Sequence, residues 1–219
     1  AATAAAGATT VLAAPCSNGS TCAPSNLSVS PSATKLASTS QTLSGSTFNI
    51  AYTEEVYQDP SNEFCSGCLT WIVKLSNTSG SGGDTIQHVN ISNFAGFSTD
   101  IGVDTANVAP DGLTGGSASP VSVHPNGTGS VLAWNYQGST AQELAPGQTT
   151  VLLEVETNAT TYVQGLVSAQ DGSTITGPGF APATEPNPNV PDAPFVPALG
   201  LAGGVAAGGF LLRRRGRVS

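Results

Sequence analysis

The chain has 219 residues, of which 39% are hydrophobic and only 9% are charged. Four of the six basic residues lie close to the C-terminus, so Lys35 and Lys74 alone oppose the 14 acidic residues. This balance excludes nucleic-acid binding, because nucleic-acid-binding proteins present a basic surface to the phosphates. About 140 to 150 residues remain between a loose N-terminus and the C-terminal segment, the size of one ordinary domain.

Residues 1–25 are predicted to be a flexible N-terminus that contains the remnant of a signal peptide. Residues 1–15 are rich in Ala and Thr, carry no charge and lack an initiator Met. These are features of the end of an export signal, for which Ala13-Ala14 offers a cleavage point. We therefore expect the protein to lie on the extracellular side of the cell envelope.

Four cysteines occur as two close pairs, Cys16 with Cys22 and Cys65 with Cys68. In an exported chain an even number of cysteines favours disulfides, and three connectivities are open. We prefer the two local pairs, because a short loop of Ser, Gly or Asn residues closes each of them. The second pair also has the spacing of a redox site, but a predicted strand follows it where a helix is required. The spacing of the first pair disfavours a zinc site.

Residues 26–181 predict an all-β domain, an Ig-like β-sandwich. Apolar and polar residues alternate, the pattern of half-buried strands, and turn-forming residues recur every few residues. No amphipathic helix interrupts this pattern. The predicted strands span Asn26–Leu36, Ser46–Tyr52, Leu69–Leu75, Ile86–Ile91, Phe94–Val103, Val121–Val123, Val131–Tyr136, Val151–Glu156, Tyr162–Ala169 and Ser173–Thr176.

The chemistry-bearing residues of this domain form no recognisable motif, and we expect neither an enzyme nor a cofactor. The two histidines, His88 and His124, belong to no His-Glu-x-x-His zinc motif, and no Gly-x-Ser-x-Gly nucleophile elbow is present. Trp71 and Trp134 could line a carbohydrate-binding surface, although one Trp per strand is more often part of a core.

Acidic residues give the domain its one hint of a calcium site. Four carboxylates lie close together in the sequence, at Glu54, Glu55, Asp59 and Glu63. They lack the Asp-x-Asp-x-Asp-Gly loop of EF-hand calcium sites, and a solvated acidic loop is the preferred interpretation. Three further aspartates are scattered along the chain, at Asp100, Asp104 and Asp111.

Residues 182–197 predict an extended, semi-rigid spacer, because proline recurs throughout them. Residues 198–219 then predict one apolar helix followed by a basic cluster. A helix from Pro197 to Leu212 would span roughly 24 Å, short of the ~30 Å core of a bilayer, so flanking apolar residues must contribute. The basic residues that would stay on the cytoplasmic side are Arg213, Arg214, Arg215 and Arg217.

This C-terminal end resembles the sorting tails of bacterial surface proteins, in particular the PEP-CTERM type, and some actinobacterial anchors are as similar. The resemblance rests on Pro191, Asp192 and Pro194, the Gly/Leu-rich run and the basic cluster, although Asp192-Ala193 stands where Glu-Pro is usual. It implies export, membrane anchoring through this segment, and an envelope-processing enzyme as a partner. Gly200, Gly204 and Gly208 lie four residues apart. Small residues at this spacing can let two membrane helices approach closely, but tails of this kind are usually rich in glycine for other reasons.

Segments of the body, such as Phe97–Gly102 and Gly179–Pro182, resemble recurrent blocks of uncharacterised exported proteins. The resemblance implies a secreted β-sandwich without any particular chemistry. We therefore expect a non-enzymatic, envelope-anchored extracellular protein with a structural, adhesive or matrix role. A glycan- or calcium-binding module is the first alternative and a secreted hydrolase is the second. The surface partner is left open.

Overall fold

The structure of the protein, a computed structural model, describes residues 15–137 and 143–185. Within these ranges the chain is all-β, with two sheets and no helix. It follows that no helix capable of crossing a membrane occurs among the described residues. The predicted C-terminal helix, most of the predicted spacer and residues 1–14 lie outside these ranges.

Eleven strands make up the two sheets of the described chain. A six-stranded sheet has the order β1-β6-β9-β4-β3-β2 and a five-stranded sheet the order β11-β10-β5-β8-β7. All neighbours are antiparallel except β1 and β6. The strands are β1 Ser25–Leu27, β2 Thr34–Ser44, β3 Asn49–Asp59, β4 Cys68–Asn77, β5 His88–Ser92, β6 Thr99–Asp104, β7 Ser122–Pro125, β8 Val131–Asn135, β9 Leu153–Thr157, β10 Thr161–Asp171 and β11 Ser173–Ala183.

The strand prediction failed most clearly at the start of the domain. Residues Asn26–Leu36, predicted as one strand, are divided between β1 and β2 by a turn in which the Ala33 amide donates to the Ser30 carbonyl. Most of β2 was missed. Its Ser/Thr-rich sequence carries few apolar residues because β2 is an edge strand whose only partner is β3. The other predicted strands are found, with shifted ends.

The two sheets pack face to face, and their inner faces form one continuous hydrophobic core. Trp71 and Trp134 are fully buried in it, which confirms their assignment to the core and contradicts a role on a carbohydrate-binding surface. Trp71 makes an edge-to-face contact with Phe94, with ring centroids 5.3 Å apart. Trp134 links the two sheets, because its indole Nε1 donates to the Gly102 carbonyl over 2.8 Å.

The edge of the sandwich at β11 is closed by polar side chains of β3. The Tyr52 hydroxyl donates to the Pro178 carbonyl over 2.6 Å, and the Phe180 amide donates to Glu54 Oε2 over 2.7 Å. Gly177 and Gly179 alternate with these residues, so the edge strand has no side chain at the points of closest approach. Side chains of β3 thus form hydrogen bonds with backbone groups of the edge strand β11 that would otherwise have no partner.

The predicted local disulfides are both present, Cys16 bonded to Cys22 and Cys65 to Cys68. No free cysteine occurs among the described residues. Cys16 is buried within the main core, and the Cys22 backbone pairs with that of Val123 on β7. The described part of the predicted flexible N-terminus is therefore packed against the sandwich.

Replacing Gly179 by Ala should destabilise the protein by about 1–3 kcal/mol, the usual range for overpacking. The new Cβ would collide with Glu54 Oε2 and approach Val167 Cγ2 to 2.8 Å. Urea unfolding of the variant tests this. Gly127→Ala is the matched control, because no heavy atom lies within 4 Å of its added Cβ. Equal stability of the two variants would mean that the edge contact is not tight.

Candidate functional site

The outer face of the six-stranded sheet carries carboxyl groups where a solvent-facing pattern was predicted. Along β9, Leu153 and Val155 point into the main core, so Glu154 and Glu156 point the other way. Glu154 stands opposite Ile72 on β4 and Gly102 on β6. Both glutamates are nevertheless buried. The predicted half-buried strand is in fact buried on both faces.

Six buried carboxyl groups share this outer face, which we call the acidic face. Residues at alternate positions of one strand, and residues opposite each other on paired strands, lie on the same side of a sheet. By this register, β3, β6 and β9 contribute two members each. They are Glu55 and Asp59, Asp100 and Asp104, and Glu154 and Glu156.

The predicted solvated acidic loop around residues 54–63 is therefore wrong. Glu54, Glu55 and Asp59 are all buried parts of β3, and only Glu63 is exposed. Glu54 points into the main core, away from the other two. The four residues were predicted as one cluster, but the alternation of β3 separates Glu54 from Glu55 and Asp59, and Glu63 lies beyond the strand.

Two irregular segments cover the acidic face. Residues 28–33 lie between β1 and β2, and residues 105–121 lie between β6 and β7. A second hydrophobic cluster joins them to the sheet, because Val29 and Ala109 pack with Tyr57, Ile72 and Leu152. We call 28–33 and 105–121 the covering segments. Their apolar contacts explain how a sheet face rich in acid can be withdrawn from water.

Backbone amides from the connecting segments are hydrogen-bonded to several of the carboxylates. The Ser30 amide donates to Asp59 Oδ2 over 3.2 Å, and the Ala106 amide donates to Asp104 Oδ1 over 2.8 Å. The Glu63 amide donates to Glu156 Oε2 over 2.7 Å. Each bond satisfies a backbone donor of an irregular segment, which would otherwise have to find water. The acidic face is thus where these segments are tied to the sheet.

Lys35 reaches this region from β2, and both ion pairs of the described residues use it. Its ammonium donates to Glu55 Oε1 over 3.1 Å and pairs with Asp111 of a covering segment. Burial opposes ionisation of Asp111, but the hydrogen bond from Lys35 prevails and lowers the pKa of Asp111 to about 2. Tyr57 joins the pair, because its hydroxyl lies 2.6 Å from Glu55 Oε2 and 3.0 Å from Asp111 Oδ1.

Glu154 is the exception in this network. It is fully buried, and neither of its carboxyl oxygens has a hydrogen-bond partner among the described residues. Burial raises the pKa of Glu154 well above its ordinary value, and the charges of Asp104, Glu156, Asp59 and Asp100 raise it further. An ionised carboxylate here would be desolvated and surrounded by like charges, both of which are costly.

The pKa values of the carboxyl groups near Glu154 are raised as well. Burial raises the pKa of Glu156 to about 7, against an opposing hydrogen bond from the Glu63 amide. Burial also raises the pKa of Asp100 and of Asp104, although each accepts hydrogen bonds that favour its charged form. Asp104 Oδ2 has no hydrogen-bond partner among the described residues. Burial thus favours the protonated form of Glu154, Glu156, Asp100 and Asp104.

The geometry gives little support to a metal centre. Within 15–137 and 143–185, no three His, Cys, Asp or Glu side chains are grouped as a metal ion would require. Calcium takes six to eight oxygen ligands at roughly 2.3–2.6 Å, so a site needs convergent donors. The acidic residues share one sheet face, but they are spread over three strands of it.

The outer face of the five-stranded sheet has the opposite character, and we call it the polar face. One row across it runs from Ser122 through Asn135 and His88 to Gln170. His88 Nδ1 lies 2.7 Å from Asn135 Oδ1, and the Asn135 amide donates to Ser122 Oγ over 3.1 Å. The next row contains His124, Ala133, Asn90, Ser168 and Thr176. Neither row contains an Asp, Glu, Lys or Arg residue.

Both histidines therefore lie on one sheet face, a placement that their sequence contexts did not reveal. His124 Nδ1 is 2.9 Å from the Ser20 carbonyl oxygen and 3.3 Å from Thr21 Oγ1. In each histidine the Nδ1 atom is thus engaged by a neutral group. Among the described residues no carboxylate is hydrogen-bonded to either imidazole, although Asp171 interacts electrostatically with His88.

An open groove of about 460 Å³ lies beside the first disulfide. Its lining carries no acidic, basic or imidazole side chain. The residues that line it are Pro15, Cys16, Ser17, Asn18, Phe64, Phe97, Ser98 and Thr99. The predicted sorting and anchor residues, from Pro191 to Arg217, lie outside the described ranges.

Comparisons with protein-family models, with curated proteins and with solved structures find no match to this chain.

Replacing Tyr57 by Phe should lower the free energy of unfolding by about 1.5–3 kcal/mol, the range for hydrogen bonds to charged groups. The change removes both bonds to Glu55 and Asp111 but keeps the ring in the second hydrophobic cluster. Urea unfolding measures the loss.

Tyr136→Phe is the matched control for that measurement. The Tyr136 hydroxyl is fully buried and has no hydrogen-bond partner among the described residues. Its removal should leave stability unchanged or raise it by up to about 1 kcal/mol, because an unsatisfied buried group is lost. A similar loss in both variants would show that the Tyr57 hydrogen bonds contribute nothing specific.

Proposed function

We propose that this protein is a non-enzymatic extracellular module, anchored at the cell envelope through its C-terminal residues, with a structural or adhesive role. The two sheets form an Ig-like β-sandwich in this proposal, and the residues after 197 form a single apolar helix. The local disulfides support export, because such bonds persist in oxidising compartments. The resemblance of the tail to bacterial sorting signals supports anchoring.

The polar face is the observation that carries the adhesive role. Amide, hydroxyl and imidazole groups stand in register across its strands, and the His88–Asn135–Ser122 contacts hold three of them in place. Such groups can both donate and accept hydrogen bonds. Exposed Leu166 on β10 adds an apolar contact next to them. The two rows themselves carry no charged side chain, and with Asp171 close to His88 they suit a polar partner without strong negative charge.

The placement of the histidines favours a binding function over a hydrolytic one. Nucleophilic catalysis needs a nucleophile next to a base, with a third group that orients the base. Here the side-chain partner of His88 is an amide, and His124 is held by a loop carbonyl. Both lie on an open sheet face, where water is not excluded from the imidazole.

Fractionation of native cells tests the anchoring. We expect the intact mass from the envelope to correspond either to the full chain or to a chain that ends near residue 190, with both disulfides formed. Neutralising the basic cluster, by Arg→Gln at 213, 214, 215 and 217, should reduce retention in the envelope, because the stop to translocation is lost. A reduced chain in the cytosol would contradict the proposal.

A glycan-binding module is the second candidate, and the neutrality of the polar face favours it. Neutral sugars offer hydroxyls that match amides, imidazoles and hydroxyls, whereas a polyanion would be repelled by a body with only two basic side chains. No aromatic platform is required for this recognition if the hydrogen-bonding groups are pre-positioned.

Binding to neutral polysaccharides, measured by retention on polysaccharide columns, tests this candidate. His88→Ala combined with Gln170→Ala should reduce retention at least about tenfold, since two adjacent contacts are removed from one row. Ser40→Ala with Thr42→Ala on β2 is the control, because these exposed residues belong to the other sheet. Equal retention of both variants would rule out the polar face as the binding surface.

A further inference from the structure

The acidic face carries more carboxyl groups than its cations can neutralise. Six carboxyl groups are buried there, and the two ion pairs of the described chain both use Lys35 at one border of the face. Glu154, with neither oxygen partnered, stands among the others rather than at the border. Several buried like charges cannot all remain ionised. Some counter-charge must therefore enter the site.

That counter-charge can be a metal cation or protons, and the geometry favours protons. A cation needs at least three convergent donors, which the described residues do not provide. A proton needs one oxygen only. We infer that the acidic face is a proton-loaded pH device, which keeps the covering segments docked in acid and weakens the fold as the pH rises. This role is independent of the binding function proposed above.

The titratable and charged groups around Glu154 lie on several elements. On its own strand it has Glu156, and on β6 it has Asp100 and Asp104. From β3 come Glu55, Tyr57 and Asp59, from the β3–β4 connection comes Glu63, and from a covering segment comes Asp111. Lys74 lies on the same face of β4, two residues beyond Ile72, but neither ion pair of the described chain includes it. Apart from Lys35 and Lys74, every such group is an acid or a tyrosine.

The sign of the effect follows from the direction of the shifts. Burial raises the pKa of Glu156 from 4.5 to about 7 and raises the pKa of Glu154 well above its ordinary value, so the folded chain binds protons that the unfolded chain releases. Stability that depends on such a proton is fully present below pH 4.5 and is lost as the pH rises through the folded pKa. The protein should therefore be most stable in acid.

The covering segments are the elements that would respond. They hold the face closed with few apolar contacts, of Val29, Ala109 and the partly buried Ala33 and Leu113. Irregular segments of this kind open at a lower free energy than core strands. Ionisation of the carboxyl groups below them would favour states in which water reaches the face.

Urea unfolding of the full chain between pH 4.5 and pH 8 is the first test. We expect the equilibrium constant for unfolding to be at least about tenfold larger at pH 8, since each unit of pKa shift is a factor of ten. Glu54 shifts the wild-type curve in the same direction, because burial raises the pKa of Glu54 to about 8. The decisive quantity is therefore the difference between variants.

Glu154→Gln should remove a large part of this pH dependence. The amide has the shape of the protonated carboxyl, so the variant should match the wild type at pH 4.5 and be at least about threefold less unfolded at pH 8. Glu156→Gln should behave similarly and guards against a folding defect in the first variant. Glu185→Gln, which removes an exposed carboxylate, is the control and should follow the wild type.

Two outcomes would overturn the inference. One is a parallel pH dependence in wild type, Glu154→Gln and Glu156→Gln. The other is a full recovery of stability at pH 8 on addition of millimolar calcium that is lost in Glu154→Gln, which would make the face a cation site. Amide hydrogen exchange, corrected for intrinsic rates, adds a local test. Protection of 28–33 and 105–113 should fall from pH 5 to pH 8 more than that of β10 and β11, and equal changes would contradict the device.

Discussion

The burial of carboxyl groups without matching cations is the constraint on which this structure depends. Hydrophobic burial withdraws the outer face of the six-stranded sheet from water through Val29, Ala109, Tyr57 and Ile72. The same burial removes the solvent that would stabilise charge on Glu154 and Glu156. Apolar packing of the covering segments and protonation of the acidic face are therefore coupled, and neither can be changed alone.

Carboxylates on both faces of β3 replace missing backbone partners. Glu54 accepts from the Phe180 amide of an edge strand, and Asp59 accepts from the Ser30 amide of a covering segment. A β-sandwich of this size has many irregular connections, whose amides need acceptors when they are buried. Acid side chains supply those acceptors at short range. The cost is that several of them are held in places where their ionisation is unfavourable.

The sequence predicted the all-β class, the local disulfides and the place of both Trp residues, because these depend on short-range patterns. Alternation marked β4 and β9, and two close cysteine pairs marked the disulfides. The prediction from sequence failed on β2, because its Ser/Thr-rich sequence reflects a position at the sheet edge that only the assembled sheet defines. It also failed on Glu154 and Glu156, since alternation with Leu153 and Val155 predicts a solvent-exposed face.

The acidic face was beyond sequence reasoning for a physical reason. Its members come from β3, β6 and β9, and they are neighbours only through the strand order β6-β9-β4-β3. The polar face is similar, because His88 and Asn135 meet through the pairing of β5 with β8. In both cases a side chain's role depends on which segment covers its face, and composition does not record that. In the sequence, the apolar residues Ala109 and Leu113 in the long connection between β6 and β7 were the available indication that a segment covers this sheet face.

Carbon-13 NMR titration of the side-chain carboxyl carbons is the sharpest test of protonation on the acidic face, because it reads protonation group by group. Glu154→Gln and Glu156→Gln assign the two signals. If Glu154 is held protonated by burial, its signal stays in the protonated position at pH 6. If the Glu154 and Glu156 signals both complete their titration below pH 5, the acidic face holds no protons near neutral pH and the account is wrong.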